Sequence, residues 1–141
     1  MQYWRFYTKI IKLNLNIKSK FKIMDIVKFK HEVETLKKFF EIYCKEKHTD
    51  IKDINKVLTY KNEDVLVELS LCDECLKKIE YSFDRLLECP HDIKPRCRTC
   101  PTPCYEKQQW KEAAKIMRYS GMKLGLLSIN KKIKNLFKNK R

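Results

Sequence analysis

The sequence has little of the two residues that most often interrupt regular structure, with 2 Gly and 4 Pro among 141 residues. This scarcity argues against a collagen-like chain, a flexible linker and a turn-rich β-sandwich. Long uninterrupted apolar runs are also missing, which argues against an integral membrane protein. The sequence has no Ser/His/Asp arrangement, phosphate-binding glycine loop or nucleotide fingerprint, so catalysis has little support. The length suits one domain.

Acidic residues are missing from both ends of the chain. Residues 1–23 contain six basic residues and 122–141 contain seven, without one acid, whereas 24–121 is nearly neutral. The two ends therefore carry most of the net charge of +14, which predicts contact with polyanions through the ends. We expect three parts. They are a basic extension over 1–23, either disordered or a leader ahead of a start at Met24, then a Cys-rich domain over 24–121 and a basic tail over 122–141.

Apolar residues spaced three and four apart predict a mainly α fold. The first helix is expected from Met24 to about Lys47, the second from Cys72 to Cys89-Pro90, and the third over 106–120 with its end at Gly121. The tail predicts a fourth, basic amphipathic helix over 123–140. Asp and Asn residues in 49–71 indicate caps around short helical pieces, such as 53–60 and 63–70. A strand at 65–69 is the alternative.

Seven cysteines in a chain without an export signal are the main chemical feature. Their odd number and the reducing compartment argue against a disulfide framework. Buried structural cysteines would explain single members but not the cluster over 97–104. Two CxxC pairs, a CxxxC and a CxxxH are spacings typical of metal ligands. The eight candidate ligands are Cys44, His48, Cys72, Cys75, Cys89, Cys97, Cys100 and Cys104.

The length of the second helix divides these ligands into two sites. A straight helix over 75–88 is about 21 Å long, too long for residues at its two ends to share one metal ion. The sequence therefore predicts two metal knuckles. One consists of Cys44, His48, Cys72 and Cys75, and the other of Cys89, Cys97, Cys100 and Cys104, with His91 as a substitute if Cys89 is not used.

The donor types indicate the metals. Three thiolates with one imidazole favour zinc at the first site. Four thiolates with adjacent prolines suit a second zinc ion or an iron–sulfur cluster at Cys89, Cys97, Cys100 and Cys104. Structural zinc would contribute folding free energy on the order of 10 kcal/mol per site, which a small Lys-rich chain needs.

Several of these motifs together resemble the nitrous oxide-stimulated promoter family of small, YgbA-like bacterial proteins. The resemblance covers about 28–125 and implies a cytoplasmic role in the response to nitric oxide or nitrosative stress. The chain departs from it at Pro103, where relatives often have His, and at Met122, where they tend to have Pro. The motifs that carry it are Tyr43-Cys44 to His48, Leu71-Cys72-x-x-Cys75, Lys94-Pro95-x-Cys97-x-x-Cys100-Pro101, Cys104-Tyr105 and Met117-Arg118-Tyr119-Ser120-Gly121.

We expect a small cytoplasmic metal-binding protein of the nitrosative stress response that acts by binding an unknown protein partner or by sensing. Nitric oxide attacks metal-bound and low-pKa thiolates, which fits this expectation. A nucleic-acid-associated regulator using the basic tail is one alternative, and its binding would weaken steeply with salt. A thiol-based redox or repair enzyme is another. The tail also allows peripheral contact with an anionic membrane, and no transmembrane segment is expected.

Overall fold

The computed structural model describes residues 24–138. The extension predicted for 1–23 and the last three residues of the predicted basic tail lie outside the described residues. This part of the chain forms three α-helices and one two-stranded sheet in the order α1 (Ile26–Lys47), β1 (Lys52–Tyr60), β2 (Glu63–Leu71), α2 (Asp73–Leu87) and α3 (Lys107–Lys138), with a short 3₁₀ turn at Cys97–Thr99. The prediction of a mainly α fold is confirmed at this coarse level.

Helix α1 begins and ends close to the predicted residues. The Asp25 carboxylate caps the first turn by accepting the Lys28 N–H at 2.8 Å. The predicted apolar stripe faces the core, and Phe29, Val33 and Phe40 on it are fully buried. The helix stops before His48, whose backbone is extended while its N–H still donates to the Cys44 carbonyl. His48 therefore lies directly after the helix, as the predicted end at about Lys47 implies.

The segment 52–71 is a β-hairpin, so the helical pieces predicted over 53–60 and 63–70 are wrong. The alternative prediction of a strand at 65–69 is confirmed, since those residues lie within β2. β1 and β2 pair antiparallel, with Lys52 opposite Leu71 and Tyr60 opposite Glu63. The connecting residues Lys61 and Asn62 have φ of 50° and 64°, the left-handed backbone of a tight two-residue hairpin turn. The acidic and Asn residues read as caps lie instead on the exposed face and at the turn.

The core lies between α1, one face of the hairpin and the inner faces of α2 and α3. The Phe29 and Tyr60 rings stack with centroids 4.1 Å apart, and the Tyr60 hydroxyl donates to the Met24 carbonyl at 2.8 Å. Tyr60 thereby fixes the tip of the hairpin against the start of α1. The far ends of the hairpin strands consequently lie near the end of α1.

Helix α3 is one continuous helix, so the predicted stop at Gly121 and the separate fourth helix are wrong. Glycine lowers helix propensity by about 1 kcal/mol, which is too little to end a helix that packs on both sides of that position. The Ser120 hydroxyl donates to the Phe39 carbonyl at 2.6 Å, and Lys123 pairs with Glu46 at 2.7 Å. These contacts hold α3 to α1 across the glycine.

None of the described helices is both long and apolar enough to cross a membrane.

Candidate metal centre

Three parts of the fold meet where the hairpin joins the helices. Cys44 lies in the last turn of α1 and His48 directly follows that helix. Cys72 follows β2 and is the N-cap of α2, and Cys75 lies in the first turn of α2. The hairpin returns the chain to the end of α1, so residues 28 positions apart become neighbours.

The four side chains form one compact group. Their ligand atoms all lie within 4.8 Å of one another. His48 Nδ1 is 3.2 Å from Cys75 Sγ and 3.3 Å from Cys72 Sγ. Cys44 and Cys75 are fully buried, Cys72 is buried, and His48 is partly exposed. The structure brings together the four residues predicted for the first site.

Backbone N–H groups point at two of the sulfurs. The Cys72 N–H donates to Cys44 Sγ at 3.3 Å, and the Cys75 N–H donates to Cys72 Sγ at 3.4 Å. Such bonds favour the thiolate over the neutral thiol. These two N–H donors stabilise negatively charged sulfur at the centre even without a bound cation.

The three thiols differ in their readiness to ionise. Burial raises the pKa of Cys44, and burial together with the neighbouring Cys44 raises the pKa of Cys75 more strongly. Burial also opposes ionisation of Cys72, but the Cys75 N–H and the neighbouring thiols outweigh it and lower the Cys72 pKa below its ordinary value. Cys72 is therefore the first thiolate of the group, and the other two need a cation beside them to ionise near neutral pH.

These residues fit a single tetrahedral metal ion. Zinc with bonds of about 2.3 Å to sulfur and about 2.0 Å to nitrogen places its ligand atoms roughly 3.5–4 Å apart. The observed separations are close to this range before any bond is formed. Three thiolates and one imidazole are a donor set typical of structural zinc. The group could hold a metal ion.

The second predicted set lies at the other end of α2. Cys89 follows that helix, and Cys97, Cys100 and Cys104 lie on the loop before α3. All four line one cavity of about 230 Å³. Unlike the first set, no three of these sulfurs, with or without the His91 ring nitrogens, all lie within 4.8 Å of one another. The structure thus gathers the second set around a common space without closing it.

Two polar side chains lie against this second set. His91 Nε2 is 3.3 Å from Cys100 Sγ, and Lys94 Nζ is 3.4 Å from Cys97 Sγ. Lys94 is mostly buried and also pairs with Glu32 on α1 at 3.2 Å. Burial opposes its charge, but Cys97 and Glu32 together raise the pKa of Lys94, which keeps it protonated. Lys94 belongs to one of the motifs of the resemblance, but sequence reasoning gave it no role because one lysine in a lysine-rich chain carries no chemical signal of its own.

Aromatic side chains cover the inner wall of the cavity. Tyr105 lies between Tyr81 and Trp110, with ring centroids 5.5 Å and 5.7 Å away. Burial raises the pKa of Tyr105 to about 12, so its hydroxyl stays neutral. All seven cysteines of the chain are free thiols.

Comparison with known proteins gives one family. The sequence profile described as Nitrous oxide-stimulated promoter matches residues 27–141, nearly the whole chain. Neither the search of curated proteins nor that of solved structures gave a significant match.

Proposed function

The chain belongs to the nitrous oxide-stimulated promoter family, and from that membership we propose that it is a small metal-binding protein of the cellular response to nitrogen oxides. The observation that carries the proposal is the buried group of three thiols and one imidazole within 4.8 Å. Metal-bound and low-pKa thiolates are the protein groups that nitric oxide and related oxidants modify most readily. We infer that the protein acts in the cytoplasm by sensing or by binding another protein.

Zinc is the metal we propose for Cys44, His48, Cys72 and Cys75. When bound, it would supply a cross-link between α1, β2 and α2 worth on the order of 10 kcal/mol of folding free energy. The chain itself holds the four candidate ligands in position. The hairpin returns Cys72 to Cys44, and the Cys72 and Cys75 N–H groups support two of the sulfurs.

The second part of the proposal concerns Cys89, Cys97, Cys100 and Cys104. Four thiols around one cavity are a donor set for a soft metal group, either a second zinc ion or an iron–sulfur cluster. Lys94, whose Nζ lies 3.4 Å from Cys97 Sγ, places a positive charge beside these ligands.

Metal content tests the first part. The full chain would be purified without oxygen and its zinc measured alongside that of Cys75→Ser and Cys104→Ser. We expect Cys75→Ser to lose the zinc of the first centre, because one ligand of four is replaced by a weaker one. Cys104→Ser, the matched control at the other end of α2, should keep it. Full zinc retention by Cys75→Ser would overturn the assignment.

Growth of cells that lack the protein tests the role in nitrogen-oxide stress. The wild-type chain should restore growth during exposure to nitric oxide, whereas His48→Ala should restore it poorly at equal protein level. His48→Ala is preferred here because this partly exposed ligand can be removed without leaving a buried cavity. Full rescue by a chain shown to contain no metal would contradict the proposal.

A further inference from the structure

We propose that Cys89, Cys97, Cys100 and Cys104 hold an iron–sulfur cluster and not a second single metal ion. This inference rests on the proposed function as a metal-binding protein and specifies what the second set binds. The two sets of candidate ligands differ in the separation of their atoms and in the space between their sulfurs.

The first contrast is in separation. The first set has all four ligand atoms within 4.8 Å, yet among the described residues no second group of three Cys, His or acidic ligands is that compact. A single zinc ion requires such compactness because every ligand bonds to the same atom at about 2.0–2.3 Å. In a cluster each thiolate bonds to a different iron or shares one with a single neighbour, so the sulfurs stand farther apart.

The second contrast is in the space between the sulfurs. The four cysteines line a cavity of about 230 Å³, whereas the sulfurs of the first set contact one another's hydrogen-bonding groups directly. A cavity of this size is several times the volume of one water molecule. A polynuclear group needs that room and a single ion does not.

Proline keeps the loop from closing on the cavity. Pro90 follows Cys89, Pro101 follows Cys100, Pro103 precedes Cys104, and Pro95 lies just before Cys97. Each proline fixes its own φ near −65° and restricts the residue before it. The loop between α2 and α3 forms a single 3₁₀ turn, at Cys97–Thr99. The sulfur positions are consequently set by a stiff backbone.

The charges around the cavity suit an anionic cluster. Four thiolates give an iron–sulfur cluster a net negative charge, which nearby cations and hydrogen bonds to sulfur stabilise. Lys94 Nζ is 3.4 Å from Cys97 Sγ, and Arg98 lines the same cavity. Among the described residues, the sulfurs of the first set contact backbone N–H groups and His48, and no lysine takes a corresponding position.

Anaerobic reconstitution of the full chain with iron and sulfide tests the cluster. We expect bound iron and acid-labile sulfide with absorption near about 400 nm, lost in Cys100→Ser while the zinc of the first centre remains. Cys75→Ser is the matched control and should lose zinc but keep the iron spectrum. If Cys75→Ser proves insoluble, the partly exposed ligand offers a milder control in His48→Ala.

The outcomes separate this inference from the proposed function. Two zinc ions per chain and no iron after reconstitution would overturn the cluster and leave the metal-binding function intact. Loss of the iron spectrum in His91→Ala to the same extent as in Cys100→Ser would overturn the assignment to four cysteines, whereas its retention supports that assignment. Absence of any bound metal would overturn both proposals.

The outer half of α3, from Met122 to the end of the helix at Lys138, supports a second and independent inference. Ala113, Ile116 and Ser120 are the buried residues of this helix, and every described side chain from Gly125 to Asn135 is exposed. At 100° per residue, a second apolar stripe lies on the side opposite to the buried residues. It consists of Met122, Leu126, Ile129 and Ile133, between 45% and 60% exposed.

We infer that this outer stripe lies on an anionic lipid surface. Exposed Lys132 and Lys134 lie on either side of the stripe, and the sequence has no acid from residue 122 to its end. A second copy of the helix would bring lysines against lysines. A nucleic acid would attract the lysines but leave the apolar stripe in water. A lipid surface takes the stripe into the headgroup region while its phosphates attract the lysines.

Vesicle sedimentation tests this surface with the full chain. We expect binding to vesicles of mixed phosphatidylcholine and phosphatidylglycerol, little binding to phosphatidylcholine alone, and about tenfold weaker binding for Leu126→Gln. Leu127→Gln is the matched control, since Leu127 is as exposed but lies off the stripe. Absence of binding to the anionic vesicles would overturn the inference. Equal loss in both variants, or tight duplex DNA binding that Leu126→Gln does not weaken, would also overturn it.

Discussion

At the scale of single residues, Cys72 has two tasks at once. Its sulfur caps α2 by accepting the Cys75 N–H at 3.4 Å, and it is one of the four candidate ligands. A serine at this position retains an oxygen that caps a helix well but is a poor ligand for zinc. An alanine retains neither property. The two substitutions therefore separate the cap from the ligand.

We predict that Cys72→Ser and Cys72→Ala both lose the zinc of the first centre but differ in metal-free stability. After chelation, the free energy of unfolding of Cys72→Ala should be about 1 kcal/mol below that of Cys72→Ser, because only the alanine removes the helix cap. Urea unfolding of both variants with excess chelator measures the difference. Equal metal-free stability would show that the sulfur does not cap the helix.

Proton release on metal binding is a second prediction at this scale. Because burial raises the pKa of Cys44 and of Cys75, both thiols are protonated near neutral pH in the metal-free chain. Each must lose its proton when it binds zinc, so the apparent zinc affinity should rise with pH between about 6 and 8. Zinc titration in weak buffer should release at least two protons per centre, one from each of these two thiols. Release of none would mean that the thiols are already ionised.

At the scale of elements, the hairpin turn offers a direct test of backbone conformation. Lys61 and Asn62 both have positive φ, which asparagine tolerates and β-branched residues do not. We predict that Asn62→Val lowers the free energy of unfolding by about 1–2 kcal/mol and that Asn62→Gly leaves it equal or slightly higher. Thermal unfolding of the two variants checks this. Equal stability of the valine and glycine variants would contradict the turn.

The two glycines of α3 form a matched pair. A Cβ at Gly121 would meet a Phe39 ring carbon at 3.8 Å, an ordinary contact, and one at Gly125 would meet nothing within 4 Å. We expect Gly121→Ala and Gly125→Ala each to raise stability by about 0.5–1 kcal/mol through helix propensity. Chemical unfolding monitored by circular dichroism measures both. Destabilisation by Gly121→Ala alone would mean that α3 bends at that residue.

The elements differ in how far the sequence predicts them, for physical reasons. Helix α1 and the start of α2 follow from apolar spacing and caps, which act within a few residues. The hairpin was predicted only in part, as an alternative strand at 65–69, because Asp53, Asn55 and Asp64 favour caps and turns in isolation. The alternation of Val65, Val67 and Leu69 gains its meaning from the core it faces. The continuity of α3 depends on contacts from Ser120 and Lys123 to α1, which no local pattern reveals.

The grouping of the first four candidate ligands could be predicted from the sequence. Cysteine and histidine spacing in the chain pointed to four side chains that the structure brings within 4.8 Å of one another, and the length of α2 separates them from the other four candidates. The open geometry of the second set and the position of Lys94 depend on how the loop packs against Glu32. Neither feature follows from the spacing of residues in the sequence.

At the scale of the whole molecule, the body and the outer half of α3 are separable. Residues 125–135 are exposed throughout, and the last contacts of α3 with α1 that fix its position are at Tyr119, Ser120 and Lys123. We predict that a chain ending at Leu124 keeps the zinc content of the full chain and a melting temperature within a few degrees of it. Differential scanning calorimetry and metal analysis of the two chains check this. Loss of cooperative unfolding would show that the outer half stabilises the body.

Both ends of the hairpin lie beside the same four candidate ligands, since His48 shortly precedes β1 and Cys72 follows β2. Residues inserted between Lys61 and Asn62 would therefore lie at the opposite end of the hairpin from these residues. There, each doubling of the length of a flexible loop costs only about 0.6 kcal/mol of loop-closure free energy. The tip is also far along both strands from Cys72. This makes it the natural position to insert a peptide tag or a fluorescent label, through which the protein could be followed in living cells with its cysteines left as they are.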